Sequence, residues 1–187
     1  YEAPYLDNLP TAPREKFAAN IAAIQKLKEI EQRVANGGSP AFEDEQKILA
    51  QYTGWGGLSD AFDPNKSAWS NEYSQLKAAL SESEYEAARS STLTAFYTPA
   101  TVIHPIYRAL ERFGVKGGKI LEPSMGTGAF LAHGHFGSSD AKFYGVELDS
   151  ITGRISKQLY QKANIQVTGY ENALLPDNYF DLSLIHI

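Results

Sequence analysis

The chain has 187 residues, 43% of them hydrophobic and 21% charged, which indicates a folded globular protein and excludes disordered, collagen-like and low-complexity classes. It contains no cysteine, which excludes disulfides, thiolate metal sites and cysteine nucleophiles and fits a reducing cytoplasm. The net charge is −5, with 9 basic and 14 acidic residues over 1–90 and 8 of each over 91–187, so neither half predicts the concentrated basic surface of a nucleic-acid groove.

The first ninety residues have the pattern of helices. Apolar residues recur every three or four positions between Pro13 and a glycine stop at residues 36–38. Further helices are predicted over 42–52, 72–80 and 82–89, the last one opened by a capping box at Ser81. Residues 53–58 place three glycines around Trp55, which predicts a turn with an aromatic anchor. We therefore predict an α-helical N-terminal region over residues 1–90.

From residue 98 onward, helical segments alternate with short apolar segments. A helix is predicted over 99–113, kinked or restarted at Pro105, and two more begin at Ala129 and Ser150. The predicted strands cover residues 119–123, 142–148, 164–168 and 180–185. Alternation of this kind predicts right-handed crossovers and a parallel sheet covered by helices on both faces, so residues 91–187 are assigned to an α/β fold.

The stretch that carries most chemical information joins the first strand to the next helix. Gly126 and Gly128 form a tight turn that lets the backbone approach a ligand closely. A dinucleotide-binding loop needs a third glycine at position 131, which is leucine, and Glu122 before the turn repels a pyrophosphate. S-adenosylmethionine suits the site better, because it offers an ammonium to an acidic group and a carboxylate to backbone N–H donors. The alternative is a plain glycine turn without a ligand.

Acidic residues also follow the second and third strands. Glu147 ends the second strand 21 positions after Gly126, where a carboxylate accepts hydrogen bonds from ribose hydroxyls, while Asp149 is predicted to cap the next helix. Residues 168–172 follow the third strand and offer an acceptor for an adenine amine. Thr98 is either a helix N-cap or part of the carboxylate cradle. The candidate cofactor-binding residues are therefore Tyr97, Thr98, Glu122, Pro123, Gly126, Gly128, Glu147, Leu148, Glu171 and Asn172.

Several of these segments carry a resemblance to a known family. The run from Phe-Tyr-Thr-Pro at 96–99 into Glu-Pro-x-x-Gly-x-Gly at 122–128 resembles the N6-adenine DNA methyltransferases. Three further segments are similar to the large methyltransferase–helicase proteins of phages, plasmids and conjugative elements. They are Tyr-x-Gly-Trp-Gly-Gly-Leu at 52–58, the Tyr-Gly-Val-Glu-Leu-Asp-Ser run from Tyr144 and Pro-Asp-x-x-Phe-Asp at 176–181. The resemblance covers about residues 46–182.

This resemblance implies a Rossmann-like S-adenosylmethionine-dependent methyltransferase fold, with a partial parallel sheet and an α-helical N-terminal region. It implies S-adenosylmethionine as cofactor, with Glu122, Gly126 and Gly128 around the methionine part, Glu147 on the ribose and Glu171 near the adenine. The parent protein is then expected to methylate adenine N6 in DNA, with a helicase domain in the same chain. The alternatives are a noncatalytic DNA-recruitment or assembly domain and an RNA or protein methyltransferase.

The family places Asn-Pro-Pro-Tyr/Phe shortly after the Phe-Asp of residues 180–181, and this sequence does not contain it. That motif holds the flipped base, so no catalytic residue is assigned here. The chain begins with Tyr1 and its single methionine is Met125, which predicts a piece of a longer protein. Residues 91–187 are accordingly expected to be the first half of the methyltransferase domain, truncated before the catalytic motif and inactive alone. Loss of catalysis is the competing explanation.

Truncation there exposes the edge of the fourth strand, which is apolar and lacks its next neighbour. Exposed strand edges pair with other chains, so self-association or marginal stability of the isolated chain is expected. Light scattering at micromolar concentration measures this, and a single sharp monomer peak contradicts it.

Other residues receive less specific interpretations. Histidines at 133 and 135 are assigned to a loop, with no metal expected, because no cysteine or carboxylate stands near them in sequence. Trp55, Phe62 and Trp69 are predicted to be anchors that pack the helical part onto the sheet rather than to stack on bases. No apolar stretch approaches the roughly 20 residues of a membrane span, so no membrane partner is expected.

Overall fold

The computed structural model describes residues 9–134 and 141–184 of the chain. These residues divide into two compact units, which meet in sequence between Phe96 and Tyr97, whereas the sequence analysis placed the boundary near Ser90. The first unit is helical and the second is α/β. No helix within the described ranges is long and apolar enough to cross a membrane.

The helical unit follows the predicted pattern closely. Its helices are α1 (Pro13–Ala35), α2 (Glu43–Leu49), α3 (Ser70–Ala79) and α4 (Glu82–Ser91), with short 3-10 turns at Ser59–Phe62 and Ser67–Trp69. The four predicted helices are confirmed, with ends that differ by a few residues. The capping box at the start of α4 is confirmed as well, because the Ser81 side chain accepts from the Glu84 N–H and the Glu84 side chain accepts from the Ser81 N–H.

The glycine-rich segment at 53–58 is held inside the helical unit. Asn20, fully buried in α1, donates to the Gly54 carbonyl oxygen at 2.6 Å and accepts from the Thr53 N–H at 2.8 Å. Trp55 is 1% exposed, and the rings of Phe17 and Phe62 lie edge-on to it at 6.1 and 5.3 Å. The prediction of a turn anchored by an aromatic is confirmed, and Trp55 is a core residue.

The α/β unit contains a parallel sheet whose strands alternate with helices. In chain order its elements are α5 (Ala100–Arg112), β1 (Gly118–Glu122), α6 (Ala129–His133), β2 (Ala141–Glu147), α7 (Ser150–Leu159), β3 (Asn164–Val167), a 3-10 turn (Tyr170–Asn172) and β4 (Leu182–Ser183). The strand order is β3-β2-β1-β4, and every paired strand runs parallel to its neighbour. This is the order of the first four strands of a Rossmann fold, so the predicted α/β, Rossmann-like class is confirmed.

Three local predictions in this unit differ from the structure. Thr98 does not cap α5, because the extended backbone of Pro99, with φ −72° and ψ 151°, places the cap at Pro99 and the first helical residue at Ala100. Pro105 lies inside the single helix α5, so the alternative that the helix restarts at this residue is wrong. The fourth strand is also shorter than predicted over the described residues, and Ile185 lies outside them.

One hydrophobic cluster of the α/β unit lies on one face of the sheet. Ile120 of β1 packs there with Ile103 and Tyr107 of α5 and with Phe130 of α6. Because side chains alternate along a strand, Leu121 and its partner Tyr144 lie on the opposite face. The ring of Tyr144 packs there against Tyr179 and Phe180, at 5.6 and 5.2 Å between ring centres.

Candidate functional site

The candidate site lies where β1 and β2 end, at the loop that leads from β1 into α6. Gly126 and Gly128 both adopt positive φ angles, +55° and +80°. This region is rarely adopted by residues with a side chain, so the sequence needs glycine at both positions. The predicted tight glycine turn is therefore present, directly after the last residue of β1.

Backbone hydrogen bonds attach the glycine loop to β2. The Met125 N–H donates to the Val146 carbonyl oxygen at 3.0 Å, and the Gly128 N–H donates to the Met125 carbonyl oxygen at 2.8 Å. The Met125 side chain lies against Gly145, where a Cβ atom would fall 2.2 Å from the sulfur. The loop is thus attached to the sheet at the carboxyl ends of β1 and β2.

Glu147 joins the glycine loop to the start of α7. One of its carboxylate oxygens accepts from the Gly126 N–H at 2.7 Å, and the other accepts from the Asp149 N–H at 2.8 Å. Burial raises the pKa of Glu147, while these backbone donors oppose the rise. Asp149 is the predicted N-cap of α7, and it accepts from the Thr152 N–H at 2.7 Å, which confirms that assignment.

Glu122 is the second acidic residue of the site, at the end of β1. Its side chain is only 1% exposed. Burial, reinforced by the nearby charge of Glu147, raises the pKa of Glu122 to about 8, while a hydrogen bond from the Ser124 backbone acts in the opposite direction. Glu122 and Glu147 therefore form an acidic region, largely withdrawn from water, on both sides of the glycine loop.

The Tyr97 ring packs against the glycine loop at Gly126. The ring is so close to Gly126 that a Cβ atom there would be 2.7 Å from a ring carbon. The Tyr97 hydroxyl shares a hydrogen bond with the Thr152 side chain of α7, and burial raises the pKa of this phenol above its ordinary value. Thr98 follows in the chain and is half-buried.

The structure brings some of the predicted residues together and leaves others apart. Tyr97, Glu122 and Glu147 gather around the glycine loop, which Pro123 begins. Glu171 and Asn172 lie in the exposed turn after β3, where the Asn172 amide donates to the Glu171 carboxylate at 3.1 Å.

Leu148 follows Glu147 and is 76% exposed. Its apolar side chain therefore lies open to solvent directly beside the acidic end of β2.

Sequence reasoning missed three residues that shape the loop, two of them on α7 and the third at its C-cap. Thr152, Ser156 and Tyr160 carry hydroxyl groups at four-residue spacing, and each of the three is buried. We call them the hydroxyl row. Four-residue spacing places side chains on one helix face, and three buried hydroxyls there are a signal that the sequence offers.

Two histidines meet away from the glycine loop. The Nε2 atom of His104 and the Nδ1 atom of His133 are 3.3 Å apart. Within residues 9–134 and 141–184, no group of three or more His, Cys, Asp or Glu side chains forms a metal centre. His135, the second residue of the histidine pair noted in the sequence, lies outside the described residues.

The parallel sheet has the order β3-β2-β1-β4, with a glycine loop after β1 and carboxylates at the ends of β1 and β2. These features define a Rossmann-like domain, a fold in which ligands bind at the carboxyl ends of the strands.

No family model matches the chain. It is similar to the "Defense against restriction protein B" of Escherichia phage P1, with 26% identity over 170 residues. That match covers 90% of this chain and only 6% of the phage protein, so the chain spans a small part of its relative.

Two solved structures are also similar to the chain. A candidate S-adenosyl-L-methionine-dependent methyltransferase of Methanococcus maripaludis is 23% identical, with a TM-score of 0.37 over 44% of this chain and 41% of that one. The plantazolicin methyltransferase BpumL, in complex with a monoazolic desmethylPZN analogue and SAH, is 17% identical, with a TM-score of 0.39 over 88% of this chain and 50% of that one. The fold assignment rests on the strand order of the chain itself.

Proposed function

We propose that the α/β unit binds S-adenosylmethionine and is the cofactor-binding part of a methyltransferase that acts on adenine N6 in DNA. The observation that carries this proposal is the position of the glycine loop between two acidic side chains, the buried Glu122 and the partly exposed Glu147. A pyrophosphate is disfavoured here, because its negative charge would lie beside the Glu147 carboxylate, which already accepts from the Gly126 N–H. A ligand with a cationic amino-acid end and neutral ribose hydroxyls suits the loop.

The residues of the site match the parts of that cofactor. Glu122 is suited to the ammonium group, and the N–H groups of the glycine loop are suited to the carboxylate. Glu147 keeps lone pairs beyond its two backbone hydrogen bonds, and these suit ribose hydroxyls. Leu148 offers an apolar surface next to the ribose position, and Glu171 with Asn172 offers hydrogen-bonding groups for the adenine.

When bound, the cofactor supplies a methyl group on a positively charged sulfur. The work of this chain is to bind and orient the cofactor, because no catalytic base is needed to activate that methyl group. Burial of Glu122 and the packing of Tyr97 on Gly126 keep water from the amino-acid end. Orientation of the two reactants accounts for much of the rate enhancement in a transfer of this kind.

DNA as the substrate is the finer part of the proposal. It is supported by the resemblance of residues 96–99 and 122–128 to N6-adenine methyltransferases. A methylated base is also suited to protect DNA from a restriction nuclease, which agrees with the name of the phage relative. We place the base-binding asparagine of this activity in the whole protein, outside this chain.

Titration calorimetry with S-adenosylhomocysteine tests the cofactor assignment. We expect one ligand per chain, and we expect Glu147→Gln to weaken binding by at least about tenfold, because an amide replaces a charged acceptor of the ribose hydroxyls. Glu111→Gln is the control, since this exposed carboxylate of α5 should leave affinity unchanged. Absence of binding by the folded chain, or tighter binding of NAD than of S-adenosylhomocysteine, contradicts the assignment.

A methyl-transfer assay with the whole protein tests the substrate. Labelled S-adenosylmethionine should yield 6-methyladenine in DNA, identified by mass spectrometry after nuclease digestion. Label in RNA or protein instead of DNA contradicts the adenine assignment and favours the other methyltransferase classes.

A further inference from the structure

The hydroxyl row of α7 faces the carbonyl side of the glycine loop. The Ser156 hydroxyl donates to the Gly126 carbonyl oxygen at 2.8 Å, and the Tyr160 hydroxyl donates to the Gly128 carbonyl oxygen at 2.9 Å. Both side chains are almost completely buried, Ser156 at 0% and Tyr160 at 5% exposure. The carbonyl groups of Gly126 and Gly128 are therefore both held by hydrogen bonds from the hydroxyl row.

Thr152, the first member of the row, fixes the loop indirectly. Its hydroxyl donates to the Asp149 carboxylate at 2.6 Å and shares a hydrogen bond with the Tyr97 hydroxyl. The Tyr97 ring in turn packs on Gly126. One face of α7 thus contacts the loop through two direct hydrogen bonds and through one bridging side chain.

Fixing these carbonyl groups also fixes N–H groups, because the peptide bond is planar and trans. In such a bond the carbonyl of one residue and the N–H of the next residue point in opposite directions. When the Gly126 and Gly128 carbonyls point to α7, the N–H groups of Thr127 and Ala129 point away from it. These two donors therefore point to the side of the loop opposite the Ser156 and Tyr160 hydroxyls.

The packing of the two aromatic rings explains why the loop cannot easily adopt another conformation. A Cβ atom at Gly128 would lie 2.3 Å from the Tyr160 ring, so this ring occupies the space that a side chain would need. The Tyr160 side chain is therefore both a hydrogen-bond donor and a packing surface. Removal of its hydroxyl alone separates the two contributions.

We propose that Ser156 and Tyr160 are positioning residues, which orient the loop N–H groups toward the carboxylate of the amino-acid end of the ligand. This inference rests on the proposed function, and it adds residues outside the glycine loop and outside the motifs of the resemblance. Because the Ser156 and Tyr160 hydroxyls donate to loop carbonyl oxygens, their effect on binding should be restricted to ligands that carry the carboxylate.

A comparison of two ligands tests the inference. S-adenosylhomocysteine has the amino-acid end, whereas 5′-methylthioadenosine has the same ribose and adenine and lacks it. Calorimetry should show that Ser156→Ala weakens S-adenosylhomocysteine by about 5- to 20-fold and leaves methylthioadenosine within about twofold, since one oriented hydrogen bond to a charged group is at stake. Tyr160→Phe, which keeps the ring, should act in the same direction.

Ser150→Ala is the matched control, because Ser150 lies exposed on the same helix and should leave both affinities unchanged. Equal weakening of both ligands by Ser156→Ala indicates a general structural role and overturns the inference. Unchanged affinity for S-adenosylhomocysteine in both variants also overturns it, while the proposed function stands if the wild-type chain binds. Failure of the wild-type chain to bind S-adenosylhomocysteine contradicts the proposed function itself.

Discussion

Replacement of Gly56 by alanine should destabilise the helical unit by about 3 kcal/mol or more, which is the upper part of the range for overpacked sites. A Cβ atom at this position would lie 2.2 Å from the Ala95 carbonyl oxygen and 3.0 Å from the Ala95 carbonyl carbon. Backbone atoms cannot rotate away as the end of a side chain does. The clash must therefore be relieved by movement of a whole segment.

That segment is itself tied to its surroundings. The Ala95 N–H donates to the Ser91 carbonyl oxygen at 2.8 Å, and the Gly57 N–H donates to the Thr92 carbonyl oxygen at 3.0 Å. Moving Ala95 away from Gly56 strains or breaks these bonds, and each broken bond leaves polar groups without their partners. Most of the loss should therefore appear as reduced stability rather than as a local adjustment.

The neighbouring glycine provides the matched control. Gly57 has a φ angle of +77°, and nothing lies within 4 Å of a Cβ atom built there. Gly57→Ala should therefore cost only about 1 kcal/mol, the strain of a left-handed residue. Urea unfolding of both variants, followed by tryptophan fluorescence, measures the two free energies. Equal costs at the two positions contradict the close approach of Ala95.

The second large effect concerns the pH dependence that Glu122 gives to the cofactor-free α/β unit. Its pKa in the folded chain is about 8, against an ordinary value of 4.5. The folded state thus keeps a proton that the unfolded chain releases. Stability is complete below about pH 4.5, falls by up to about 1.4 kcal/mol per pH unit as the pH rises, and levels off above about pH 8.

Glu122→Gln isolates this contribution, because the amide does not titrate. The difference in unfolding free energy between this variant and the wild type should grow in favour of the variant between about pH 5 and pH 8, reaching several kcal/mol. Glu147, whose pKa is also raised, is present in both proteins, so its contribution cancels to first order. A difference that does not vary with pH shows that Glu122 is not protonated by burial.

The same group links ligand binding to proton release. A cationic ammonium next to Glu122 favours the carboxylate form, so binding of S-adenosylhomocysteine at pH 7 should release up to one proton. Calorimetry in two buffers of different ionisation enthalpy measures that proton. Glu122→Gln should bind more weakly and release less, whereas an unchanged proton count assigns the release to another group.

Sequence alone predicted the helices and strands well where periodicity was strong. The regular apolar spacing of α1 and the alternation after residue 98 identified both classes of structure, because each pattern reports directly on burial. The predictions that the structure corrects lie at Pro99 and Pro105 and at the short fourth strand. Pro99 satisfies the sequence rule for a first helical position, yet its extended ψ angle places it outside the helix.

The sequence predicted the glycine loop and the acidic residues of the candidate site, but it did not predict the hydrogen bonds that join them to α7. Positive φ angles at Gly126 and Gly128 follow from the glycine spacing, and the acidic residues follow from the strand ends. The hydrogen bonds from Ser156 and Tyr160 depend on how α7 lies beside the loop, which a sequence does not specify. Similarly, the pKa of Glu122 depends on the burial of its side chain, which emerges only in three dimensions.

The contacts that shape the glycine loop also set the order in which the site forms. They join Gly126 to residues 21 and 30 positions later, and Gly128 to a residue 32 positions later. During synthesis the loop leaves the ribosome before these partners, so its final hydrogen bonds form only after residue 160 has been made. Chain entropy must be lost to bring residues this far apart into contact. A ligand that binds only the folded unit stabilises it.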